Sequence, residues 1–215
     1  MSPRGFETSF TDQRARMVER QLRGREIVDE RVLSAMATVP REEFVPNSHR
    51  RHAYRDGALR IGEEQTISQP WIVARMAELL ELEGGERVLE VGTGSGYAAA
   101  VLSLLAAEVV TVERHATLAE SSRETLARLG HANVEVRHGD GSKGAPDRAP
   151  FDAISVTATA NGEPPGALRD QAAPGAPIAL PLQRDGGELL VCIRGTDVQV
   201  IAPVRFVPLV EGTKG

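Results

Sequence analysis

Glu90-Val91-Gly92-Thr93-Gly94-Ser95-Gly96-Tyr97 is the stretch that decides the fold. It grows out of a short apolar run, Arg87 to Val91, and leads into an apolar stretch, Ala98 to Ala107. A strand passing through a glycine turn into a helix is the opening unit of a doubly wound α/β fold. That turn lies at the carboxyl edge of the sheet, beside the topological switch point, where ligands bind. Glycines there let the backbone take positive φ and approach a ligand closely. A dinucleotide fingerprint reads GxGxxG or GxGxxA. Here the spacing is GxGxG, and Tyr97 stands where Gly or Ala is needed. The dinucleotide reading fails by one residue and a large side chain.

The alternation continues downstream. Val109 to Glu113 reads as a second strand, Leu118 to Leu129 as a helix ended by Gly130, Val134 to Arg137 as a third strand and Asp152 to Thr157 as a fourth. Pro177 to Leu182, Glu188 to Arg194 and Val198 to Phe206 read as three more. Strands alternating with helical stretches mean βαβ units and a mostly parallel sheet. Gly195-Thr196-Asp197 is too short for a crossover helix, so the last two strands form an antiparallel hairpin. The expected fold class is α/β: a doubly wound, seven-stranded, mostly parallel sheet with antiparallel C-terminal strands and an N-terminal helical cap.

That cap is read upstream of the turn. Residues 1–10 carry no period. Thr11-Asp12 opens a helix-favouring run to Arg23, and Asp29 precedes another, Glu30 to Val39, stopped by Pro40. Residues 40–65 read as irregular. Gln65-Thr66-Ile67-Ser68-Gln69-Pro70 leads into a helix that runs to about Leu82 and ends at Gly84-Gly85, with Pro70 in its first turn.

Composition removes several function classes. The 215 residues hold 25 Lys and Arg against 30 Asp and Glu, a net charge of −5. That balance opposes binding to nucleic acid by phosphate neutralisation, or to a membrane surface through a basic patch. Cys192 is the only cysteine, so no internal disulfide forms and a reducing compartment is the natural reading. Met1 to Phe10 contains no apolar core of a signal peptide. The most apolar stretch, Ala98 to Ala107, is half the roughly 20 residues a bilayer span needs. None of the five histidines stands in an HExxH spacing, and no metal site is expected. The expectation is one cytoplasmic domain over 1–215, with neither nucleic acid nor membrane as partner.

An acidic residue followed by GxGxG resembles the S-adenosylmethionine turn of class I methyltransferases. On that resemblance Glu90, Gly92, Thr93, Gly94, Ser95 and Gly96 form the cofactor turn. Two acids support it. Glu113 ends the second strand, where an ionised carboxylate can accept from both ribose hydroxyls. Asp140, in Gly139-Asp140-Gly141 after the third strand, can receive the adenine amino group beside Gly141. Either acid taken singly is equally a solvated strand end.

From about residue 11 to 210 the chain resembles the protein-L-isoaspartate O-methyltransferases. The matching words are Met17-Val18-Glu19-Arg20-Gln21-Leu22, Val39-Pro40-Arg41 with Phe44-Val45-Pro46, Gln65-Thr66-Ile67-Ser68-Gln69-Pro70, Val88 to Tyr97, Gly139-Asp140-Gly141 and Val204-Arg205-Phe206-Val207-Pro208-Leu209. The resemblance implies methyl transfer from S-adenosylmethionine, leaving S-adenosylhomocysteine, to the α-carboxylate of L-isoaspartyl residues in damaged proteins or peptides. The ester then collapses to a succinimide that partly reopens to aspartate. It implies a catalytic role for Ser68, with Thr66, Ile67 and Val207 framing the substrate carboxylate. It divides the chain into a cap and substrate segment, 11–85, and a cofactor-binding core, 86–215. An enzyme that accepts many damaged chains needs an open groove, and a monomer is the expected state. Some relatives methylate a normal aspartate in a dedicated partner peptide, which is the alternative.

The chemistry fits those residue types. The nucleophile is a carboxylate already ionised at pH 7, so no general base is needed. The protein's task is alignment, worth up to about 7–11 kcal/mol. A neutral hydroxyl orients a carboxylate without blunting its nucleophilicity, as Lys or Arg would. Ser68 has no GxSxG elbow or paired histidine to make it a nucleophile. It can equally cap the helix beginning near Pro70. Trp71 is either pocket wall or core anchor, and Arg205 either attracts a carboxylate or is a surface charge. Cys192 reads as a buried small hydrophobe. His115, His131 and His138 read as solvated element ends. Three departures from the family pattern border the substrate side: Glu63-Glu64, the 157–165 loop, and the single glycine in Ala173-Pro174-Gly175-Ala176-Pro177.

Overall fold

The computed structural model describes residues 9–214. Of the unpatterned stretch, residues 1–8 lie outside the described residues. Ser9 caps α1 (Phe10–Met17), its Oγ accepting from the Asp12 N–H at 3.1 Å. The helix continues through a wide turn, Val18–Leu22, and a tight one, Arg23–Arg25, and Glu26 leaves it in the left-handed region. α2 (Glu30–Thr38) starts on Asp29, whose Oδ1 accepts from the Arg31 and Val32 N–H groups. Both helices send Met17, Leu22, Leu33 and Met36 into a fully buried cap core.

Residues 40–65 are more regular than expected. Tight turns occupy Arg41–Phe44 and Asn47–His52, and a hairpin follows. Its strands, β1 (Leu59–Gly62) and β2 (Gln65–Ile67), pair antiparallel. Between them Glu63 and Glu64 sit at φ 49° and 59°. Such a two-residue loop normally takes Asn or Gly. Holding a non-glycine residue there costs about 1–3 kcal/mol. With glutamates in the loop and strands of four and three residues, no local signal announces the hairpin.

α3 (Pro70–Leu79) ends three residues before the expected Leu82, and Glu81 turns left-handed at φ 52°. The α/β core then unfolds in order: β3 (Arg87–Val91), α4 (Tyr97–Ser103), β4 (Glu108–Glu113), α5 (Ala116–Arg128), β5 (Val134–His138), β6 (Ala153–Val156), β7 (Ala160–Asn161), α6 (Gly166–Asp170), β8 (Ile178–Arg184), β9 (Gly187–Arg194) and β10 (Asp197–Val204). α4 stops at Ser103 because its last turn tightens, Leu104 and Leu105 donating back only three residues. The short β7 and α6 lie between the expected fourth and fifth strands, where no pattern marks them.

The sheet order is β10-β9-β8-β6-β3-β4-β5, the seven expected strands, with β7 pairing β8 off that path. β3, β4, β5, β6 and β8 run parallel, while β9 is antiparallel to both β8 and β10. Central strands are buried on both sides, as a parallel sheet requires. Val88 and Val109 face the layer of cap, α3, α4 and α5. Leu89, Val110, Ile154 and Val156 face the other, with Phe151 and Leu168. From β3 the chain steps to β4 and β5 on one side and returns to β6 on the other. The switch point therefore lies at the carboxyl ends of β3, β4 and β6. No helix among the described residues is long and apolar enough to cross a membrane.

Candidate functional site

The glycine turn opens on that switch point. Gly92, at φ 94°, donates its N–H to the Val112 carbonyl at 2.9 Å. From the next strand, Thr157 Oγ1 donates to the Gly92 carbonyl at 2.7 Å. A Cβ on Gly92 would stand 2.4 Å from that hydroxyl, so only glycine lets β6 close against the turn. Past the turn, Tyr97 drives its ring into the cap core, edge-on to Phe44 at 5.6 Å. This packing explains the bulky residue where a dinucleotide turn would have Gly or Ala. Above the turn is an open cavity, roughly 800 Å³ when the solvent at its mouth is counted.

Gly92, Thr93, Gly94, Ser95, Glu113, Gly141, Thr66, Ile67, Ser68 and Val207 all line this cavity. Glu90, Gly96 and Asp140 are absent from its wall. Glu113 is buried at the end of β4. Its Oε2 accepts from the Gly94 N–H at 2.8 Å and its Oε1 from the His115 N–H at 2.9 Å. An ionised carboxylate has about four acceptor sites, so capacity remains for two further donors. That suits a pair of neighbouring hydroxyls.

Glu90 supports the turn from below. Its Oε2 accepts from Thr111 Oγ1 at 2.6 Å, and Thr111 meets the Thr93 hydroxyl at 2.6 Å. Its Oε1 has no hydrogen-bond partner among the described residues. Burial, with Glu113 nearby as a smaller cause, pushes its pKa up to about 8. That shift favours the protonated form of Glu90. Asp140 turns back on its own chain, Oδ1 accepting from the Ser142 hydroxyl at 2.7 Å and N–H at 3.1 Å. Gly141 beside it comes so close to β3 that a Cβ would stand 2.6 Å from Val91 Cγ1.

On the other wall, α3 is capped by Gln69 without any side-chain bond. Ser68 lies one residue too early to cap. Its hydroxyl makes no hydrogen bond among the described residues and stands free at the cavity. The Ser68 carbonyl accepts from Arg41 Nη2 at 2.7 Å. Arg41 is fully buried, its Nε donating to the Ala53 carbonyl and its guanidinium 4.8 Å from the Tyr97 ring centre. Burial lowers its pKa. Sequence reasoning gave Arg41 no role; its one signal is its place in the Val-Pro-Arg word.

A wider groove continues outward from Ser68 and Thr66 past Gln69 and Trp71 to residues 203–207. Trp71 is wall here, its Nε1 donating to the Arg25 carbonyl at 3.0 Å. Arg205 is exposed along the same groove. Residues 206–214 then strap the cavity. The Phe206 N–H donates to Glu188 Oε2 at 2.7 Å, the Thr159 N–H to the Val207 carbonyl at 2.8 Å, and the Leu209 N–H to the Thr159 carbonyl at 2.8 Å. The Lys214 N–H reaches the Arg114 carbonyl at 2.7 Å.

One expectation is corrected. His115 is not solvated: it is 4% exposed and lines the cavity, covered by the hairpin tip and the strap. His131 is half-buried against Ser103 and His138 is exposed. Cys192 is buried. Arg114, His115, Thr157 and Leu209 also line the cavity without having been read as site residues. Arg114 and His115 follow Glu113 directly and Thr157 closes the fourth expected strand, so the strand ends were their signal, while Leu209 arrives with the strap. Among the described residues, no group of three or more His, Cys, Asp or Glu is placed to hold a metal ion.

The model of the protein-L-isoaspartate(D-aspartate) O-methyltransferase family matches residues 12–214. The chain is 51% identical over 211 residues to a protein-L-isoaspartate O-methyltransferase of Rhodopseudomonas palustris, covering 94% of this chain and 85% of that one. It is 53% identical over 205 residues to one of Anaeromyxobacter, covering 93% and 84%. A solved protein-L-isoaspartate O-methyltransferase superposes with TM-score 0.79 at 30% identity, covering 91% of this chain and 65% of that chain. A Plasmodium falciparum β-aspartate methyltransferase in complex with S-adenosyl-L-homocysteine superposes with TM-score 0.77 at 26% identity, covering 92% and 98%.

Proposed function

The chain belongs to the protein-L-isoaspartate(D-aspartate) O-methyltransferase family, and from that premise we propose that Ser68 is its catalytic residue and the cavity above the glycine turn its methyl-transfer site. The enzyme transfers a methyl group from S-adenosylmethionine to the α-carboxylate of L-isoaspartyl residues, the first step of repair through a succinimide. The observation that carries the site is the meeting of the Thr66-Ile67-Ser68 word, Glu113, the 92–95 turn and Val207 around one cavity.

S-adenosylmethionine supplies a methyl on positively charged sulfur. Glu113 would hold its ribose hydroxyls with the acceptor sites left free by Gly94 and His115. Gly92, Thr93, Gly94 and Ser95 would cradle it with backbone, and Gly141 would border the base. Glu90, Gly96 and Asp140 act one layer out: Glu90 holds Thr93 through Thr111, Gly96 starts α4, and Asp140 shapes the loop that presents Gly141.

A substrate carboxylate oxygen forms the new bond to carbon while the carbon–sulfur bond breaks toward sulfur. Both charges disappear, the sulfonium becoming a thioether and the carboxylate an ester. No proton moves, so no base is needed at the site. Ser68 Oγ would donate to the second carboxylate oxygen, with Thr66, Ile67 and the Val207 backbone closing the frame. Arg41 would fix the Ser68 backbone through its carbonyl without touching substrate. Losing charge in the transition state favours a cavity screened from water.

The same reading assigns 11–85 to substrate and 86–215 to cofactor, as a monomer in the cytoplasm whose partners are isoaspartyl chains and neither nucleic acid nor membranes. The outer groove past Trp71, continuous with Thr66 and Ser68, supports the isoaspartyl chain as partner.

The test is transfer of labelled methyl from S-adenosylmethionine to the isoaspartyl and aspartyl versions of one short peptide, with Ser68→Ala alongside. The isoaspartyl form alone should be labelled. Ser68→Ala should lower kcat by about 10- to 100-fold, the value of one hydrogen bond to a charged group. It should leave S-adenosylhomocysteine affinity and melting unchanged, because the hydroxyl holds nothing in the fold. Labelling of the aspartyl twin alone, or an unimpaired Ser68→Ala, would reject the assignment.

A further inference from the structure

The β1–β2 hairpin carries a side chain that the methyl-transfer reading leaves without a role. Glu63 sits at the hairpin tip, yet its carboxylate reaches into the cofactor half of the molecule. Its Oε1 accepts from Thr117 Oγ1, in the first turn of α5, at 2.9 Å. Its Oε2 lies 3.5 Å from His115 Nδ1 and 4.0 Å from Lys214 Nζ. The Thr117 hydroxyl first, then the neighbouring His115 and Lys214, hold the Glu63 carboxyl below its ordinary pKa.

Three covers of one cavity meet at this carboxylate. The hairpin contributes Gln65, Thr66 and Ile67 to the wall and runs straight on to Ser68. The α5 side contributes His115, whose N–H binds the ribose-site acid Glu113. The strap contributes residues 207–210 and ends at Lys214, which is laced to the 114–116 backbone by two hydrogen bonds. Local preference works against the tip, because Glu63 and Glu64 both stand at positive φ in a loop that suits Asn or Gly. Contacts outside the loop hold Glu63 where it is.

The geometry points to Glu63 as a positioning residue, a latch that joins the substrate hairpin, the start of α5 and the C-terminal strap across the mouth of the cofactor cavity. Closing the latch sets the Thr66–Ser68 segment in register with the methyl donor and slows the donor's escape. This rests on the reading of the cavity as the methyl-transfer site. It adds a residue far from the reacting atoms whose loss loosens both partners of the reaction at once.

Glycine separates latch from scaffold. Glu63→Gly removes the carboxylate but suits a φ of 49°, so the fold tolerates it. Glu64→Gly relieves the same loop without touching the latch. For each variant the S-adenosylhomocysteine dissociation constant is read by calorimetry, kcat and KM on an isoaspartyl peptide by methyl transfer, and the melting temperature without ligand. Glu63→Gly should melt at or above the parent while binding S-adenosylhomocysteine about tenfold more weakly and turning over about tenfold more slowly, the factor of one charge-assisted hydrogen bond. Glu63→Gln, which keeps an acceptor for Thr117 but loses the charge facing Lys214, should fall between. Glu64→Gly should match the parent in binding and turnover. Binding and kcat within twofold of the parent in Glu63→Gly would overturn the latch. A parent that methylates no isoaspartyl peptide would sink the repair reading instead, and the dissociation constants would still decide the latch.

Discussion

Glu90 has a consequence measurable without substrate. A carboxyl raised on folding from near 4.5 to about 8 favours the folded state fully at acid pH and loses that contribution as pH rises through about 8. The cofactor-free protein should therefore weaken between pH 5 and 8.5. Glu90→Gln copies the protonated acid and should not. The gap in unfolding free energy between the two should open across that window by about 2–5 kcal/mol in favour of the variant. Parallel pH-independent melts would remove Glu90 as the cause. This residue also marks a limit of sequence reading. Its place in the glycine word is legible, but which face of β3 its side chain takes is set by two-sided packing. Glu113, Thr66, Ile67 and Ser68 were legible because they lie in words or at strand ends that the topology carries to one edge. His115 was not, because the groups that bury it come from positions 63 and 214.

The glycine turn works as an element, by close approach to β6. Gly92→Ala would set a methyl against Thr157 Oγ1 and force an L-residue to hold φ 94°. It should destabilise the fold by about 1–3 kcal/mol and weaken S-adenosylhomocysteine binding by tenfold or more. Adding Thr157→Ala should recover the steric share alone, giving a non-additive double mutant. A Gly92→Ala protein as stable as the parent would show that the turn has slack. Strand elements read well from sequence because buried parallel strands are short apolar runs, and β3 matches its expected limits. The β1–β2 hairpin did not read, since its loop residues contradict its conformation. α3 and α4 read too long, because tightened last turns leave no mark in an apolar sequence.

At the scale of the molecule, the cavity is made by three parts that pack around it: the hairpin, the sheet edge and the strap. A ligand that binds only this assembled state stabilises the whole chain by about 2.7 kcal/mol at a hundred times its dissociation constant. For a chain of this size that corresponds to roughly 5–10 °C. Melting with S-adenosylhomocysteine at that excess should show one transition shifted by that amount, and an unshifted transition would argue that the cavity does not take it. The general fold was legible because alternation and connection length fix topology. The division of labour around the site was less so, because it depends on contacts between segments some hundred residues apart. The strap has one more implication, for how the protein is born. Everything it covers precedes it in the chain, so translation delivers the floor and walls of the cavity before the strap that roofs them.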